Sequence, residues 1–248
     1  MDDLSDSQSR DLFPSSELHN VPQRMLTPFR GYESSPLVTL EEAAIPLISI
    51  MPEIQNMISI VKGCCTALED GLTIDESASI ALYTMDWQPN YKSCHFILNA
   101  TLKASDPILL KPWFLYLKLI MTALAKIPAE LPSRKLFRGV RSDLSVFYPV
   151  GSTVVWEGFS SCTSSVDVLN NDARFLGDEG ARTMFTIECH SGKNIRKHSL
   201  YPGEKEILLL PACQFEVLGN LKESNNLHSI RLKEIQPTSS MPLPSRTS

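Results

Sequence analysis

The chain has 248 residues, of which 43% are hydrophobic and 21% are charged, a composition typical of a globular protein with a sizeable core. Its net charge is −5 and it contains no block of basic residues, so we expect no nucleic-acid partner. Because it shows neither the leader of an exported protein nor an apolar run of membrane-spanning length, we expect a cytoplasmic protein without a membrane partner.

The first part of the chain is polar, contains prolines and has no periodic pattern. We therefore expect residues 1–35 to form a disordered leader. Residues 36–132 then predict a helical lobe. Thr39-x-x-Glu42 and Thr73-x-x-Glu76 each have the form of a capping box, in which threonine and glutamate satisfy backbone N–H groups at a helix start.

Two further helices are expected in this lobe. One carries a buried apolar stripe and can end at Gly71; the stripe consists of Met57, Ile58, Val61 and Leu68. The other extends from Trp113 to Lys126 and has Pro112 in its first turn. Because apolar residues cover much of its circumference, we expect the second to be the best-buried helix of the lobe.

Residues 133–235 predict a β-lobe of short strands separated by turn residues. The predicted strands are Lys135–Val140, Thr153–Thr163, Arg182–His190, Glu206–Pro211, Gln214–Leu221 and Leu227–Ile235. Because no helical runs separate them, they indicate an antiparallel-rich sandwich and not a parallel doubly wound sheet. The predicted fold class is therefore α+β, with an N-terminal helical lobe packed against a β-sandwich, and a disordered tail over residues 236–248.

The six cysteines form no C-x-x-C pair, and no paired spacing with the five histidines provides the four converging ligands of a zinc site. We therefore expect free thiols in a reducing compartment and no bound metal.

Three strand segments carry polar residues where an ordinary sandwich would bury apolar ones. The first places Arg138, whose planar fork suits phosphate oxygens, before Gly139, whose backbone a ligand can approach. The second is a hydroxyl cluster at the end of an aromatic strand, Ser160-Ser161-Cys162-Thr163-Ser164. The third is the pair Glu204 and Glu206, which strand alternation would project to one side, so that repulsion raises at least one pKa.

Each segment also has an ordinary structural interpretation. The arginine can be a solvated residue of an edge strand, the serines can form turns, and the two acids can lie in an exposed turn before a strand. Trp156 and Phe159 are expected in the core, and Tyr83 is expected to be a packing anchor with one hydrogen bond. The sequence has no G-x-G-x-x-G, P-loop or G-x-S-x-G motif, which argues against a Rossmann domain and a serine hydrolase.

In combination and in this order, the three segments resemble the arginine-serine-glutamate class of mono-ADP-ribosyltransferases, and closely its arginine-specific, animal-type members. The resemblance extends from about Leu40 to Ile235 and includes two helical segments, Asp75–Thr84 and Lys111–Leu119. It implies one ADP-ribosyltransferase domain over residues 36–235, with a helical lobe (36–132) and a β-lobe (133–235).

The resemblance implies how NAD is bound. Arg138 would hold the pyrophosphate, and the backbone of Gly139 would bind the nicotinamide carboxamide. Ser161 resembles the serine of the family's Ser-x-Ser/Thr motif, with Thr163 as its companion. Cys162 departs from the threonine that is frequent at the central position, which leaves the division of roles between the two hydroxyls open.

The resemblance also implies a catalytic pair. Glu206 matches the catalytic glutamate, and Glu204 matches the upstream acid that accompanies arginine specificity. Phe175, in the loop after the hydroxyl cluster, is a candidate ring to stack on nicotinamide. Such an enzyme would transfer ADP-ribose from NAD to the guanidinium group of an arginine in an acceptor protein and release nicotinamide. We expect a monomer whose only cofactor is NAD, used as a substrate.

Two alternatives remain. In an NAD glycohydrolase, water would capture the sugar cation, and the same Arg138, Ser161 and Glu206 would serve. A non-catalytic NAD-binding or interaction module is the other alternative. The intact arginine, serine and glutamates argue against it, because a site that had lost its activity would be under no constraint to keep charged residues of opposite sign close together.

Overall fold

A computed structural model of the chain describes residues 30–65, 69–104, 106–129, 135–171, 176–177 and 179–235. The predicted tail, most of the predicted leader, Leu68 and Phe175 lie outside the described residues. Residues 30–35 belong to the predicted leader, yet Tyr32–Ser34 form a 3-10 turn and the side chain of Tyr32 is fully buried in the helical core. Packing therefore begins before residue 36, because Tyr32 contributes apolar surface to that core.

The described residues contain six α-helices. They are α1 (Leu40–Ala44), α2 (Ile54–Cys64), α3 (Ile74–Thr84), α4 (Cys94–Lys103), α5 (Phe114–Lys126) and α6 (Val166–Asn171). Both predicted capping boxes are confirmed, at the starts of α1 and α3. Thr39 and Thr73 each accept a hydrogen bond from the backbone N–H of the glutamate three residues later, and that glutamate accepts one from the backbone N–H of the threonine.

Three of the four residues of the predicted apolar stripe lie on α2, where Ile58 and Val61 are fully buried and Met57 packs against the helical core. The helix ends at Cys64, however, and not at Gly71. Asp70 and Gly71 instead have φ angles of 53° and 70°, in the left-handed region, and they turn the chain into α3. Gly71 is therefore needed for a turn between helices, which a sequence pattern cannot distinguish from a helix end.

Helix α5 begins at Phe114, one residue later than predicted, because Pro107–Trp113 form a 3-10 helix that leads into it. The expectation that it is the best-buried helix is wrong. Every residue of α3 from Glu76 to Tyr83 is buried, because α3 lies among α1, α2, α4 and α5 and contacts all four.

Pro107–Lys126 together form an apolar helical stretch of 20 residues, which by length and composition alone could cross a bilayer. The sequence expectation that no run reaches this length is therefore wrong. Half of its most apolar window is buried inside the protein (50%), where Trp113, Tyr116 and Leu117 pack in the helical core.

Eight strands form one sheet in the described residues. They are β1 (Lys135–Val140), β2 (Thr153–Trp156), β3 (Ser160–Thr163), β4 (Arg182–Glu188), β5 (Lys193–Asn194), β6 (Glu206–Leu209), β7 (Cys213–Lys222) and β8 (Leu227–Ile235). Their order is β2-β7-β8-β4-β1-β3-β6-β5, and all neighbouring pairs except β4 and β8 are antiparallel. The α+β class with an antiparallel-rich sheet is thus confirmed.

The predicted strand Thr153–Thr163 is two strands instead of one. Residues 157–159 leave the ladder after β2, at one edge of the sheet, and lead the chain to β3 near the opposite edge. The two-residue strand β5 and helix α6 were not predicted, because both are too short to show a periodic pattern.

The sheet curls over on itself. Strands β2 and β4 are three places apart, which in a flat sheet is about 14 Å. Yet the ring centroids of Trp156 on β2 and Phe185 on β4 are only 5.4 Å apart, with the rings nearly perpendicular at 83°. The curled sheet therefore encloses an apolar core, and one continuous sheet supplies both layers of the sandwich.

Strand β6 joins this sandwich core to the helical core. Ile207 and Leu209 belong to the sandwich core, whereas Leu208 packs in the helical core. Since side chains alternate along a strand, Glu206 lies on the face of β6 that Leu208 occupies. This face is directed towards the helical lobe.

Asn99 on α4 connects the two lobes by hydrogen bonds. Its Nδ2 donates to the hydroxyl of Tyr83 at 3.2 Å and to the carbonyl oxygen of Phe159 at 3.1 Å. The rings of Tyr83 and Phe159 also pack together, with centroids 5.2 Å apart. The predicted role of Tyr83 as a packing anchor with a hydrogen-bonded hydroxyl is confirmed, as is the core position of Phe159.

This junction leaves no room beside Gly158. A Cβ atom there would lie 2.7 Å from Oδ1 of Asn99, whose amide cannot move without losing its two hydrogen bonds. We expect Gly158→Ala to lower the free energy of unfolding in urea by about 1–3 kcal/mol. The control is Gly63→Ala in α2, where a Cβ meets nothing within 4 Å, and this variant should be up to about 1 kcal/mol more stable. Equal stability of the two variants would contradict the packing described.

Candidate active site

The three polar segments meet because β1, β3 and β6 are neighbours in the sheet. Phe137 pairs with Thr163, and Thr163 pairs with Glu206. The strands border a cleft that is partly open to solvent. All predicted site residues that the structure describes line this cleft, namely Arg138, Gly139, Ser161, Thr163, Glu204 and Glu206.

Helix α6 forms another wall of the cleft through Val168 and Leu169. Phe175, the predicted stacking ring, lies outside the described residues, and its role stays a prediction. Among the described residues, no group of three His, Cys, Asp or Glu side chains is arranged to hold a metal ion.

The two acids share the cleft for a different reason from the one predicted. Strand β6 begins at Glu206, while Glu204 ends the 3-10 turn Pro202–Glu204. Lys205 between them has a φ of 51°, in the left-handed region, and so strand alternation does not apply there. The hydroxyl of Thr163 donates to the carbonyl oxygen of Glu204 at 3.0 Å and fixes the turn against β3.

Glu206 is a buried carboxyl group with only 6% of its surface exposed. Burial raises its pKa from 4.5 to about 7, and the negative charge of Glu204 contributes to the rise. Hydrogen bonds from Ser161 and Ser199 and the charge of Arg138 act in the opposite direction. The predicted rise of one pKa in the pair is therefore found at Glu206, with desolvation as its main cause.

The hydroxyl cluster divides into two faces. Cys162 points into the sandwich core, whereas Ser161 and Thr163 are directly opposite Leu208 and Glu206 and share their face. Hydrogen bonding by Ser161 lowers the pKa of Glu206, and Thr163 holds the turn of Glu204. The structure thus separates the two hydroxyls, a question that the sequence left open.

Arg138 borders the cleft on β1, and its Nη1 donates to the carbonyl oxygen of Ser161 at 2.6 Å. Lys103 on α4 is near enough for the two charges to interact. Burial lowers the pKa of Lys103 to about 7, the charge of Arg138 lowers it further, and Glu157 opposes the change. The guanidinium group of Arg138, together with Lys103 when it is protonated, is suited to the phosphate oxygens of an anionic ligand.

Two polar residues near the cleft were not found by sequence analysis. Ser199, in the segment between β5 and β6, lowers the pKa of Glu206, and the pKa of Lys103 on α4 is lowered by the charge of Arg138. Neither belongs to a motif. A serine in a loop and a lysine near the end of an amphipathic helix are both common on protein surfaces, so no sequence signal marks them.

The model of one protein family, described as ART: NAD:arginine ADP-ribosyltransferase, matches residues 65–240 of the chain. This span contains α3, α4, α5 and all eight strands, together with the whole of the cleft. A search of curated proteins finds no significant match.

Solved structures with a similar fold include two ADP-ribosyltransferases and exoenzyme S. Vis toxin from Vibrio splendidus, in complex with agmatine, is 18% identical, with a TM-score of 0.52, over 84% of this chain and 91% of its own. Exoenzyme S from Pseudomonas aeruginosa, bound to carba-NAD, is 19% identical, with a TM-score of 0.55, over 79% and 88%. The eukaryotic mono-ADP-ribosyltransferase ART2.2 is 14% identical, with a TM-score of 0.56, over 84% and 96%. At these identities the likeness shows the shared fold.

The raised pKa of Glu206 makes the stability of the protein depend on pH. Because its pKa is about 7 in the folded protein and 4.5 ordinarily, the contribution to stability is fully present below about pH 4.5 and is lost as pH rises through about 7. Glutamine resembles the protonated acid, so Glu206→Gln should be more stable than the parent at about pH 8, by on the order of 3 kcal/mol, and no more stable at about pH 4. Urea denaturation at both pH values measures this difference.

The matched control for this prediction is Glu188→Gln. Glu188 is exposed at the end of β4, so the same change of charge should have the same small effect at both pH values. A stability gain for Glu206→Gln that does not change with pH would show that its carboxyl group is not destabilised by burial.

Proposed function

The chain belongs to the NAD:arginine ADP-ribosyltransferase family, and from this premise we propose that it transfers ADP-ribose from NAD to the guanidinium group of an arginine in an acceptor protein. The observation that carries the proposal is the convergence of Arg138, Ser161 and both acids on one cleft. The family uses NAD as its substrate. The arginine acceptor and the residue roles given below follow the pattern of the arginine-serine-glutamate class.

The cleft residues fit the parts of NAD. Arg138 lines the cleft, and its guanidinium group suits the negatively charged pyrophosphate. Gly139 has no side chain, so its backbone N–H and C=O can reach the nicotinamide carboxamide. Phe175, from the segment that follows α6, is the candidate to stack on the nicotinamide ring. In this orientation, the bond between the nicotinamide and the ribose of the bound NAD would lie beside Glu206.

Glu206 is proposed to assist the departure of nicotinamide. Cleavage of the bond between nicotinamide and ribose leaves positive charge on the sugar, as in glycoside hydrolysis. An ionised Glu206 stabilises that charge, and the surrounding burial strengthens the interaction. Ser161 favours the ionised form of the carboxyl group, which is the form that stabilises the charge of the transition state.

Glu204 is proposed to act on the acceptor. An arginine guanidinium is positively charged and a poor nucleophile until it loses a proton. Glu204 lies on the turn at the cleft, where it can hold the guanidinium by charge-assisted hydrogen bonds and accept that proton as the new C–N bond forms. The structure of Vis with agmatine, a guanidinium compound, supports this type of acceptor by analogy.

We further propose a monomeric, cytoplasmic enzyme of the animal-type, arginine-specific group. The order of Arg138, Ser161 and Glu206 along the chain, and an acid two residues before Glu206, support this subclass. The acceptor is a protein with an accessible arginine.

Separate duties for the two acids predict separate losses. Glu204→Ala should reduce transfer of labelled ADP-ribose to agmatine by about 100-fold, because it removes the proton acceptor. NAD cleavage should remain within a few-fold of the parent, since Glu206 still acts on the sugar. Nicotinamide release and agmatine adduct are measured in the same reaction.

Glu206→Gln is the companion variant, and it should lose both transfer and cleavage. Equal losses of both activities in Glu204→Ala would contradict separate roles. A parent protein that releases nicotinamide without forming an adduct on any guanidinium acceptor would be an NAD glycohydrolase. A parent protein with neither activity under varied conditions would be a binding module.

The proposed phosphate contact predicts an effect on NAD binding. Arg138→Lys keeps the positive charge but removes the planar fork, so we expect the KM for NAD to rise by about tenfold or more. The control is Arg141→Lys, since Arg141 is exposed just after β1 and the same substitution there should leave the KM unchanged. An unchanged KM in Arg138→Lys would remove Arg138 from the proposed site.

A further inference from the structure

The two acids of the cleft differ in how their backbones are held. Glu206 is part of the strand ladder, where it pairs with Thr163 on β3. Glu204 lies outside the sheet, and Lys205 between the two acids has a φ of 51°. A residue with a side chain adopts this left-handed conformation only when surrounding contacts enforce it. The position of Glu204 relative to Glu206 therefore depends on contacts from neighbouring segments.

The segment between β5 and β6 is fixed to the backbone of Glu206. The N–H of Ile195 donates to the carbonyl oxygen of Glu206 at 3.2 Å. The N–H groups of His198 and Ser199 both donate to the carbonyl oxygen of Ile195, at 2.8 and 2.9 Å, so the chain turns back directly after Ile195. Arg196 is the next residue, and its backbone is therefore held beside the strand that carries Glu206.

The side chain of Arg196 extends from this position to the turn that carries Glu204. Its Nε donates to the carbonyl oxygen of Pro202 at 2.9 Å. Pro202 is the first residue of the 3-10 turn Pro202–Glu204, and the N–H of Glu204 closes this turn by donating to the carbonyl oxygen of Tyr201 at 3.0 Å. Arg196 thus connects the backbone of one acid to the turn of the other.

Two further contacts hold the same turn from other directions. The hydroxyl of Thr163 on β3 donates to the carbonyl oxygen of Glu204 at 3.0 Å, and the N–H of Asp86, after α3, donates to the hydroxyl of Tyr201 over a longer distance of 3.4 Å. Of these three contacts, the one from Arg196 has a charged donor, which strengthens a hydrogen bond. The side chain of Arg196 is exposed, so it can be substituted without disturbing a core.

We propose that Arg196 is a positioning residue that holds Glu204 in place relative to Glu206, and that it thereby determines how the sugar cation is divided between an arginine acceptor and water. This inference rests on the proposed function of the two acids. Arg196 acts on the acceptor only through Glu204, because its hydrogen bond is made to the backbone of the turn.

Transfer and hydrolysis begin with the same bond cleavage. The bond between the ribose and nicotinamide breaks, and nicotinamide leaves with the electron pair. In transfer, a guanidinium nitrogen forms the new bond to the sugar and its proton goes to Glu204. In hydrolysis, water forms that bond and releases a proton to the solvent. Because only transfer needs Glu204 in place, a displaced Glu204 changes the division of products toward hydrolysis.

The experiment compares the parent with Arg196→Met, whose unbranched side chain cannot donate to Pro202. Nicotinamide release and agmatine adduct are measured in the same reaction. We expect kcat/KM for agmatine to fall by about tenfold, because a small displacement of a reacting group has an effect of this order. NAD cleavage without an acceptor and the KM for NAD should stay within about twofold of the parent, since Glu206 remains in the ladder. Arg196→Lys keeps a charged donor and should retain most of the transfer.

The matched control is Arg231→Met. Arg231 is exposed on β8, which does not border the cleft, so the same change of charge should leave both activities unchanged. A double variant, Arg196→Met with Glu204→Ala, tests the route of the effect. If Arg196 acts only through Glu204, the double variant should transfer no less than Glu204→Ala alone.

The outcomes separate the role of Arg196 from the proposed function. A parent protein that forms no adduct on agmatine contradicts the proposed transfer itself. If the parent does transfer, the positioning role is overturned when Arg196→Met keeps the parental rate with agmatine, lowers NAD cleavage equally, or causes the same loss in the Glu204→Ala background. A raised KM for NAD would overturn it too, because Arg196 would then bind the dinucleotide. A lower melting temperature with an unchanged division of products would show that Arg196 is only structural.

Discussion

Glu206 is the first residue of a strand that is buried on both faces, so little water is available to stabilise the charge of its carboxyl group. Ser161, Ser199 and Arg138 compensate in part, the serines by hydrogen bonding and the arginine by its positive charge, whereas the charge of Glu204 adds to the cost. The same environment makes the site useful, because a charge that is poorly solvated interacts strongly with an opposite charge nearby. The cleft is therefore a region where the fold gives up stability for electrostatic strength.

The helical lobe is part of this arrangement. Leu208 and Phe159 reach from the β-lobe into the helical core, and Asn99 ties α4 to Tyr83 and to the chain just before β3. Helix α3 also contacts the segment between β5 and β6, because Ser77 on α3 hydrogen-bonds the imidazole of His198. The helices thus help to set the position of the polar residues on β3 and β6, and a change in helix packing would move the two acids.

Much of the fold follows from the sequence, because its signals are local. Capping boxes at Thr39 and Thr73 fix two helix starts, and alternation identifies most strands. What fails depends on tertiary contacts. A run from Thr153 to Thr163 looks like one strand, yet its halves pair with different partners. The convergence of the motifs was predictable from their resemblance to a family, whereas Ser199 and the left-handed turn at Lys205 have no sequence signal.

The turn at Lys205 has a consequence for how such a protein can diversify. Glu204 is set by a short 3-10 turn at the rim, while Glu206 is built into the hydrogen-bonded ladder of the sheet. Residues of this turn can therefore be substituted in evolution without disturbing the hydrogen bonds of the sheet. If the two acids divide donor and acceptor chemistry as proposed, lineages that share this scaffold can acquire new targets while they inherit an unchanged reaction on the sugar.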